Sequence, residues 1–308
     1  MPKPGSKYTI NGTRGADALD GSIYSDALQS GGLIINGLGG NDTVKGGFGR
    51  DVLNGGDGDD RVYGALDDLV GVGDGKVVWD GGRGNDTLDL TAIVSDPGKG
   101  VWVALDYGPQ SASSLETNIE KSNDYSLNWF VTWEANYQSN FNGFENVVAG
   151  SGDDVITFFG NSGNNTAYAG AGNDWIDTGQ GNDTIFGEAG DDIITGGWGN
   201  DTASGGAGND IFAFTGRLSG QYTYDVITDF STANDQIWLY PGWSLAWDAS
   251  SQTALHGYLS DQGTVFGEIT ISNLTYGSSG SVRVYNVDLN TGQPQSAGGL
   301  TSVDFFPA

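Results

Sequence analysis

Residues Gly46-Gly47-Phe48-Gly49-Arg50-Asp51-Val52-Leu53-Asn54 are followed at once by Gly55-Gly56-Asp57-Gly58-Asp59-Asp60-Arg61-Val62-Tyr63. The two nonamers share a pattern: glycine at positions one, two and four, aspartate at six, a large apolar residue at eight. Residues 81–89 repeat it without a mismatch. It then recurs as five consecutive nonamers over 169–213, with Asp174, Asp183, Asp192, Asp201 and Asp210 at position six. Their eighth positions are Ile176, Ile185, Ile194, Ala203 and Phe212. Self-similarity held in phase at a short period is the mark of a solenoid.

Weaker copies extend both blocks. Residues 12–20 carry Asp17 and Leu19, 21–29 carry Asp26 and Leu28, and 37–45 carry Asp42 and Val44. The turn at 30–36 is short and has no aspartate, 64–71 offers Asp68 and Val70, and 72–80 has Val77 where the aspartate belongs. In the second block, 149–157 carries Asp154 and Ile156, whereas 160–168 has Asn165 and Ala167.

The nonamer can be read physically. Its glycines permit positive φ and a tight turn. Position eight puts one apolar side chain in an x-U-x strand too short to stand alone. Parallel stacking of such strands builds a continuous apolar stripe. Two nonamers make one coil, so residues 18 apart stack. Asp174, Asp192 and Asp210 then fall on one edge, and Asp183 and Asp201 on the other. Aspartates roughly 4.8 Å apart repel as any row of like charges does. A cation between turns relieves this, and a shell of carboxylate and carbonyl oxygens suits a hard ion. Flexible six- to eight-oxygen shells favour Ca²⁺ over Mg²⁺.

These nonamers resemble the RTX (hemolysin-type) calcium-binding repeats. The resemblance covers 12–89 and 149–213. It implies an all-β fold: a right-handed parallel β-roll or β-solenoid with a β-rich C-terminal cap, holding several Ca²⁺ ions between stacked turns. It implies carboxylate ligands at Asp17, Asp26, Asp42, Asp51, Asp60, Asp68, Asp86, Asp154, Asp174, Asp183, Asp192, Asp201 and Asp210. Turn residues assigned to the same sites are Gly47, Gly49, Gly55, Asp57, Gly170, Gly172, Gly179, Gly181, Gly187, Ala189, Gly190, Gly196, Trp198, Gly205 and Ala207. Asn165 lacks charge and should weaken the site it shares with Asp183. Val77 and the short turn 30–36 should break the ladder in the first block, leaving fewer sites there.

Composition supports a regular acidic protein. Of 308 residues, 53 are glycine, and 39 acids against 12 bases give a net charge of −27. That charge disfavours nucleic acid and anionic membrane surfaces. The absence of cysteine excludes disulfides and thiolate metal sites. The 35 aromatic residues argue against a disordered acidic tail. No apolar run long enough for a membrane-spanning helix occurs, so no stable membrane insertion is expected.

The sequence divides into a first repeat block (1–89), wider rungs with an aromatic-rich excursion (90–148), a second block (149–213) and a cap (214–308). The excursion carries Trp129, Trp133 and Tyr137. These are a candidate glycan or partner surface, or a cover packed over the roll. Asp225-Val226-Ile227-Thr228-Asp229-Phe230 and Asp235-Gln236-Ile237-Trp238-Leu239 look like the segments that close RTX rolls. Asp225, Asp229 and Asp235 are either a further cation site or solvated turn residues. Residues 264–290 alternate as antiparallel β structure. The last residues, Asp304-Phe305-Phe306-Pro307-Ala308, are similar to an uncleaved type I secretion signal, and no N-terminal Sec-type leader is seen.

No zinc-protease motif is present, since His256 is the only histidine, and no G-x-S-x-G elbow or P-loop occurs. The expectation is a secreted, non-enzymatic calcium-binding protein, exported by type I machinery and acting outside the cell or at its surface. The alternative is a polysaccharide-binding or polysaccharide-modifying protein that uses 108–143.

Overall fold

Isolated three-residue strands are not stable in water, and parallel neighbours supply what each lacks. The computed structural model describes residues 8–24, 32–47, 49, 51–64, 78–92, 100–105, 114–119, 140–158, 162–214, 223–239, 243–248, 255–261, 264–272, 281–287, 294–295 and 303–304. Among them there is no α-helix, only a 3₁₀ turn, Gly21–Ile23. The chain forms two compact units, 1–119 with 135–161 and 120–134 with 162–308.

The first unit is built on two parallel sheets. One has the order Tyr8–Asn11, Leu33–Gly39, Val52–Asp57, Val78–Arg83, Asn140–Asn142. The other has the order Ala18–Asp20, Thr43–Lys45, Arg61–Tyr63, Thr87–Asp89, Asn146–Val148. Successive half-coils alternate between the sheets, as a nine-residue period requires. Ile35, Val44, Leu53, Val62, Trp79, Leu88 and Val147 are fully buried. Each contributes about 1.5–3 kcal/mol of apolar burial. The wider rung Gly100–Ala104 pairs in parallel with Val155–Thr157 and antiparallel with Ser114–Ile119.

The second unit repeats the plan. Thr166–Ala171, Thr184–Ala189, Thr202–Ser204, Thr223–Ile227 and Thr264–Ile271 run parallel in one sheet. Trp175–Asp177, Ile193–Thr195, Ile211–Phe214, Gln236–Leu239 and Ser281–Val287 do so in the other. The strands at 264–271 and 281–287 differ from the purely antiparallel expectation. Each is the last parallel rung on one side and pairs antiparallel on the other, with Leu255–Asp261 and with Pro294–Gln295 and Val303–Asp304. An open parallel edge is thereby closed by antiparallel strands. Phe230, fully buried, closes the core against Phe212 at 5.9 Å between ring centroids.

The turns stack so closely that position four must be glycine. Gly58 (φ +135°) and Gly190 (φ +137°) lie under the carbonyls of Gly40 and Gly172, where a Cβ would collide. Position two turns left-handed in several turns, Gly56, Gly82 and Gly206 among them, and Leu38 (φ 81°) and Glu188 (φ 74°) adopt that conformation without being glycine.

Candidate metal centre

The aspartates of position six form the ladders that the 18-residue coil implies. Each Oδ1 reaches back and accepts the backbone N–H at the equivalent place in the preceding coil. Asp42 donates to Asp60 at 2.7 Å, Asp174 to Asp192 at 2.8 Å, Asp183 to Asp201 at 2.9 Å and Asp192 to Asp210 at 3.1 Å. Asn165 holds its ladder place and donates its N–H to Asp183 at 2.8 Å. Position five makes a second ladder running the other way. Asn182 accepts from the N–H of Asn200, and Asn173 from that of Asp191, at 2.8 and 2.7 Å. Each coil is thus held from both neighbours.

The expected break in the first block does not occur on the edge carrying Asp17, Asp42, Asp60 and Asp86. Asp17 N–H donates to Asp42 and Asp60 N–H to Asp86, each at 2.7 Å, across separations of 25 and 26 residues. The ladder register is thus kept across both irregular coils. On the other edge the aspartate is missing at the short turn, and Leu33 stands in its place, donating to Asp51 Oδ1 at 2.6 Å. Asp154 Oδ1 accepts from Val101 at 2.6 Å, so the wider rung joins the same scheme. Asp26, Asp68, Val77, Trp129, Trp133 and Tyr137 lie outside the described residues.

The second carboxylate oxygens divide the turns into two kinds. In one kind, the N–H four residues earlier caps Oδ2: Thr13 to Asp17 (2.6 Å), Gly47 to Asp51 (2.7 Å) and Gly150 to Asp154 (3.2 Å). In the other kind, Asp42, Asp60, Asp86 and Asp210 are buried and their Oδ2 atoms accept no hydrogen bond. These oxygens face the turn's first glycine. A Cβ on Gly37 would meet both Asp42 Oδ2 and the Gly55 carbonyl, and one on Gly55 would meet Asp60 Oδ2 and the Gly81 carbonyl. Gly187 repeats the arrangement with Asp192 Oδ2 and the Gly205 carbonyl, and Gly196 and Gly205 lie against Asp201 and Asp210. At Gly37 and Gly55, a carboxylate oxygen that accepts no hydrogen bond therefore lies close to a carbonyl of the next coil.

Burial is the main cause that pushes these acids up, with neighbouring carboxylates adding to it. Asp86, Asp183, Asp210 and Asp225 rise to about 7, and Asp154 and Asp201 to about 6. Among the described residues the ion pairs join Arg61 to Asp89 and Arg83 to Asp57, and none reaches a ladder carboxylate. Nor do three or more acidic, histidine or cysteine side chains gather there as a metal cluster. An ion between turns would take much of its shell from carbonyls, which Ca²⁺ accepts. The residues present fit that ion: buried carboxylates, adjacent carbonyls and, among the described residues, no ion pair to a ladder carboxylate.

The predicted carbonyl residues serve the stack as well. The carbonyls of Ala189, Trp198 and Ala207 accept from Gly172, Gly181 and Gly190 at 2.8 Å, and that of Asp57 accepts from Gly40 at 2.8 Å. The Gly179 carbonyl accepts from Trp198 at 2.7 Å. Each carbonyl oxygen has a second lone pair. Gly49, Gly170, Gly172 and Gly181 supply left-handed turn geometry.

Asp225 and Asp235 are not solvated turn residues. They continue the two ladders, accepting from Asp201 at 3.0 Å and Asp210 at 3.1 Å. Asp229 acts differently, because its carboxylate accepts the N–H groups of Gly205 and Gly206 at 2.9 and 2.8 Å. Glu145 is a ladder member that the repeat pattern does not reveal. It accepts the N–H of Asp86 at 2.9 Å. A signal for it is present in the sequence, because Val147 in the apolar slot puts Glu145 two residues earlier, where the aspartate belongs.

The RTX calcium-binding nonapeptide repeat family matches residues 36–68, 157–185 and 177–212. The chain carries RTX calcium-binding nonapeptide repeats, folded as a parallel β-roll. The solution structure of the AlgE6R3 subunit from the Azotobacter vinelandii mannuronan C5-epimerase is similar over 51% of this chain and 91% of its own, at 24% identity and a TM-score of 0.30. No curated protein sequence matches the chain. RTX repeats imply Ca²⁺ binding, and no helix among the described residues is long and apolar enough to cross a membrane.

Proposed function

We propose that this protein is an extracellular, non-enzymatic β-roll whose folding is coupled to Ca²⁺ held between its turns. One observation carries the reading: the second oxygens of Asp42, Asp60, Asp86 and Asp210 are buried and accept no hydrogen bond, and among the described residues no ion pair reaches them. Uncompensated buried charge is too costly to persist. Bound Ca²⁺ supplies the missing positive charge and bridges consecutive coils. The ladder aspartates would hold it with the carbonyls of the first turn position. Without it the carboxylates repel and the stack loosens. Sites of extracellular modules work near 10⁻⁴–10⁻³ M, which keeps the chain open inside a cell and folded outside, as type I export demands. An ion at 100 times its Kd adds about 2.7 kcal/mol, so a few sites match the stability of a whole domain.

No reaction is assigned to the chain. His256 sits on the antiparallel cap, in register with Asp248 and Thr270. The aromatic run at 108–143 supports a polysaccharide or cell-surface partner by composition alone. Equilibrium dialysis against buffered Ca²⁺ tests the calcium reading. Several ions bound per chain, with fewer in Asp210→Asn, is the expected result. A chain that binds none is contrary to it.

A further inference from the structure

We infer that the first unit carries a built-in modification site: a column of asparagines that deamidate through their following glycines when the chain is open, and that the calcium-loaded roll protects. The inference rests on the calcium reading above and adds a chemical consequence of staying unloaded.

Asparagine followed by glycine occurs four times in the sequence, at Asn11-Gly12, Asn36-Gly37, Asn54-Gly55 and Asn142-Gly143. All four fall in one column of one sheet. Asn11 pairs with Asn36, Asn36 with Asn54, Asn54 with Asp80 and Asp80 with Asn142. The remaining member, Asp80-Gly81, is the same step with a carboxylate. Two needs of the fold write this dipeptide. The position before the turn carries a side-chain ladder, in which Asn36 Nδ2 donates to Asn11 Oδ1 at 2.7 Å and Asn54 Nδ2 to Asn36 Oδ1 at 2.6 Å. The next position must be glycine, because a Cβ on Gly37 or Gly55 would meet a carboxylate oxygen and a carbonyl. In the second unit the equivalent Gly187, Gly196 and Gly205 follow Phe186, Thr195 and Ser204, so the step is absent there.

A glycine has no side chain to hinder its own nitrogen. In an open chain that nitrogen attacks the Cγ of the preceding asparagine. The N–Cγ bond forms, the Cγ–Nδ2 bond breaks, and ammonia departs with the proton that the nitrogen gives up. Water then opens the cyclic imide at either carbonyl, leaving aspartate or isoaspartate. The roll blocks the first step. The Asn36 and Asn54 amides are tied to the preceding coil, and the Gly12 N–H donates to the Asn36 carbonyl at 2.8 Å. Gly37 and Gly55 lie inside strands Leu33–Gly39 and Val52–Asp57. Neither product can replace asparagine. Isoaspartate adds a backbone carbon just before a glycine with no room to shift, beside Oδ2 of Asp42 or Asp60. Aspartate at position 54 would stand opposite Asp80, a like-charge pair. A chain modified while open cannot rebuild these turns, so loss of Ca²⁺ becomes irreversible with time.

The test uses the unaltered full chain, held at neutral pH in excess chelator or in saturating Ca²⁺. Peptide mass spectrometry follows conversion at the four steps, and circular dichroism follows folding in the same samples. Conversion should be more than about tenfold slower with Ca²⁺, since a reaction confined to the open chain tracks its population. Ca²⁺ is then restored to the aged sample, and folded chains are separated from protease-sensitive ones. Isoaspartate at positions 36 and 54 should concentrate in the sensitive fraction. Equal conversion rates in a chain that folds with Ca²⁺ overturn the inference and leave the calcium reading standing. Isoaspartate spread evenly between the two fractions overturns the irreversible step. A chain equally folded in chelator and in Ca²⁺ overturns the calcium reading, and this inference with it.

Discussion

Asp60 Oδ1 accepts the backbone N–H of Asp42, 18 residues earlier, at 2.7 Å, while Asp60 Oδ2 is buried and accepts nothing. One carboxylate thus does two things: one oxygen sets the coil-to-coil register, and the other is left to meet a positive charge. Asp51 differs, because Gly47 caps its Oδ2 at 2.7 Å. The two kinds of turn should respond differently to loss of charge. Asp60→Asn should raise the Ca²⁺ concentration at half-folding about tenfold, equivalent to ~1.4 kcal/mol. Asp51→Asn should shift it less than about threefold, or ~0.7 kcal/mol. Calcium titrations of both variants by circular dichroism check this, and equal shifts would remove the distinction.

The raised carboxyls give the metal-free chain an unusual pH response. Asp86, Asp183, Asp210 and Asp225 are pushed up to about 7 from 3.8, chiefly by burial. A folded-state value above the unfolded one contributes stability that is complete below the unfolded value and is lost as pH rises through the folded one. In chelator, β structure should therefore be greater near about pH 5 than near about pH 7.5. With Ca²⁺ the sign reverses, because ligands must lose their protons, and the calcium midpoint should fall over the same interval. Circular dichroism at several pH values, with and without chelator, measures both.

Close stacking of the turns predicts which glycines are replaceable. Gly190→Ala would put a Cβ into the Gly172 carbonyl at a φ of +137°. It should cost at least ~2 kcal/mol and prevent folding at moderate Ca²⁺. Gly39→Ala is the control. Its Cβ would come no closer than 3.5 Å to the Asp57 carbonyl, and it should change stability by less than ~0.5 kcal/mol. Thermal melts at fixed Ca²⁺ separate the two.

The closing segment should matter as much as any repeat. Phe230 is fully buried against Phe212, so Phe230→Ala should cost about 3–5 kcal/mol. It should also expose the Gly205 and Gly206 N–H groups that Asp229 now binds. Amide exchange in 202–212 should then speed up at a Ca²⁺ concentration that protects the unaltered chain.

The roll is readable from the sequence because nonamer phase dictates register. Once Asp174, Asp192 and Asp210 fall 18 apart, their stacking follows without further information. The irregular coils are harder. Counting residues makes the turn 30–36 look like a break, yet Asp17 still bonds Asp42 across 25 residues, because strand pairing and not residue count sets the register. Glu145 is harder to see for the opposite reason: its turn is too short to match a nonamer, and Val147 in the apolar slot is its one sequence signal, which strand pairing then places opposite Asp86. Which carboxylates are capped is also beyond the sequence, since Asp51 and Asp60 occupy the same position of the same motif and differ only in the path of the N–H four residues back.

If Ca²⁺ binding and folding are one event, far-UV circular dichroism during a CaCl₂ titration from a chelated start near neutral pH tests it most directly. Coupled folding predicts little β signal at the start, a cooperative rise with Ca²⁺, and a higher midpoint in Asp192→Ala. A chain already fully folded in excess chelator, with no change on adding Ca²⁺, would contradict it.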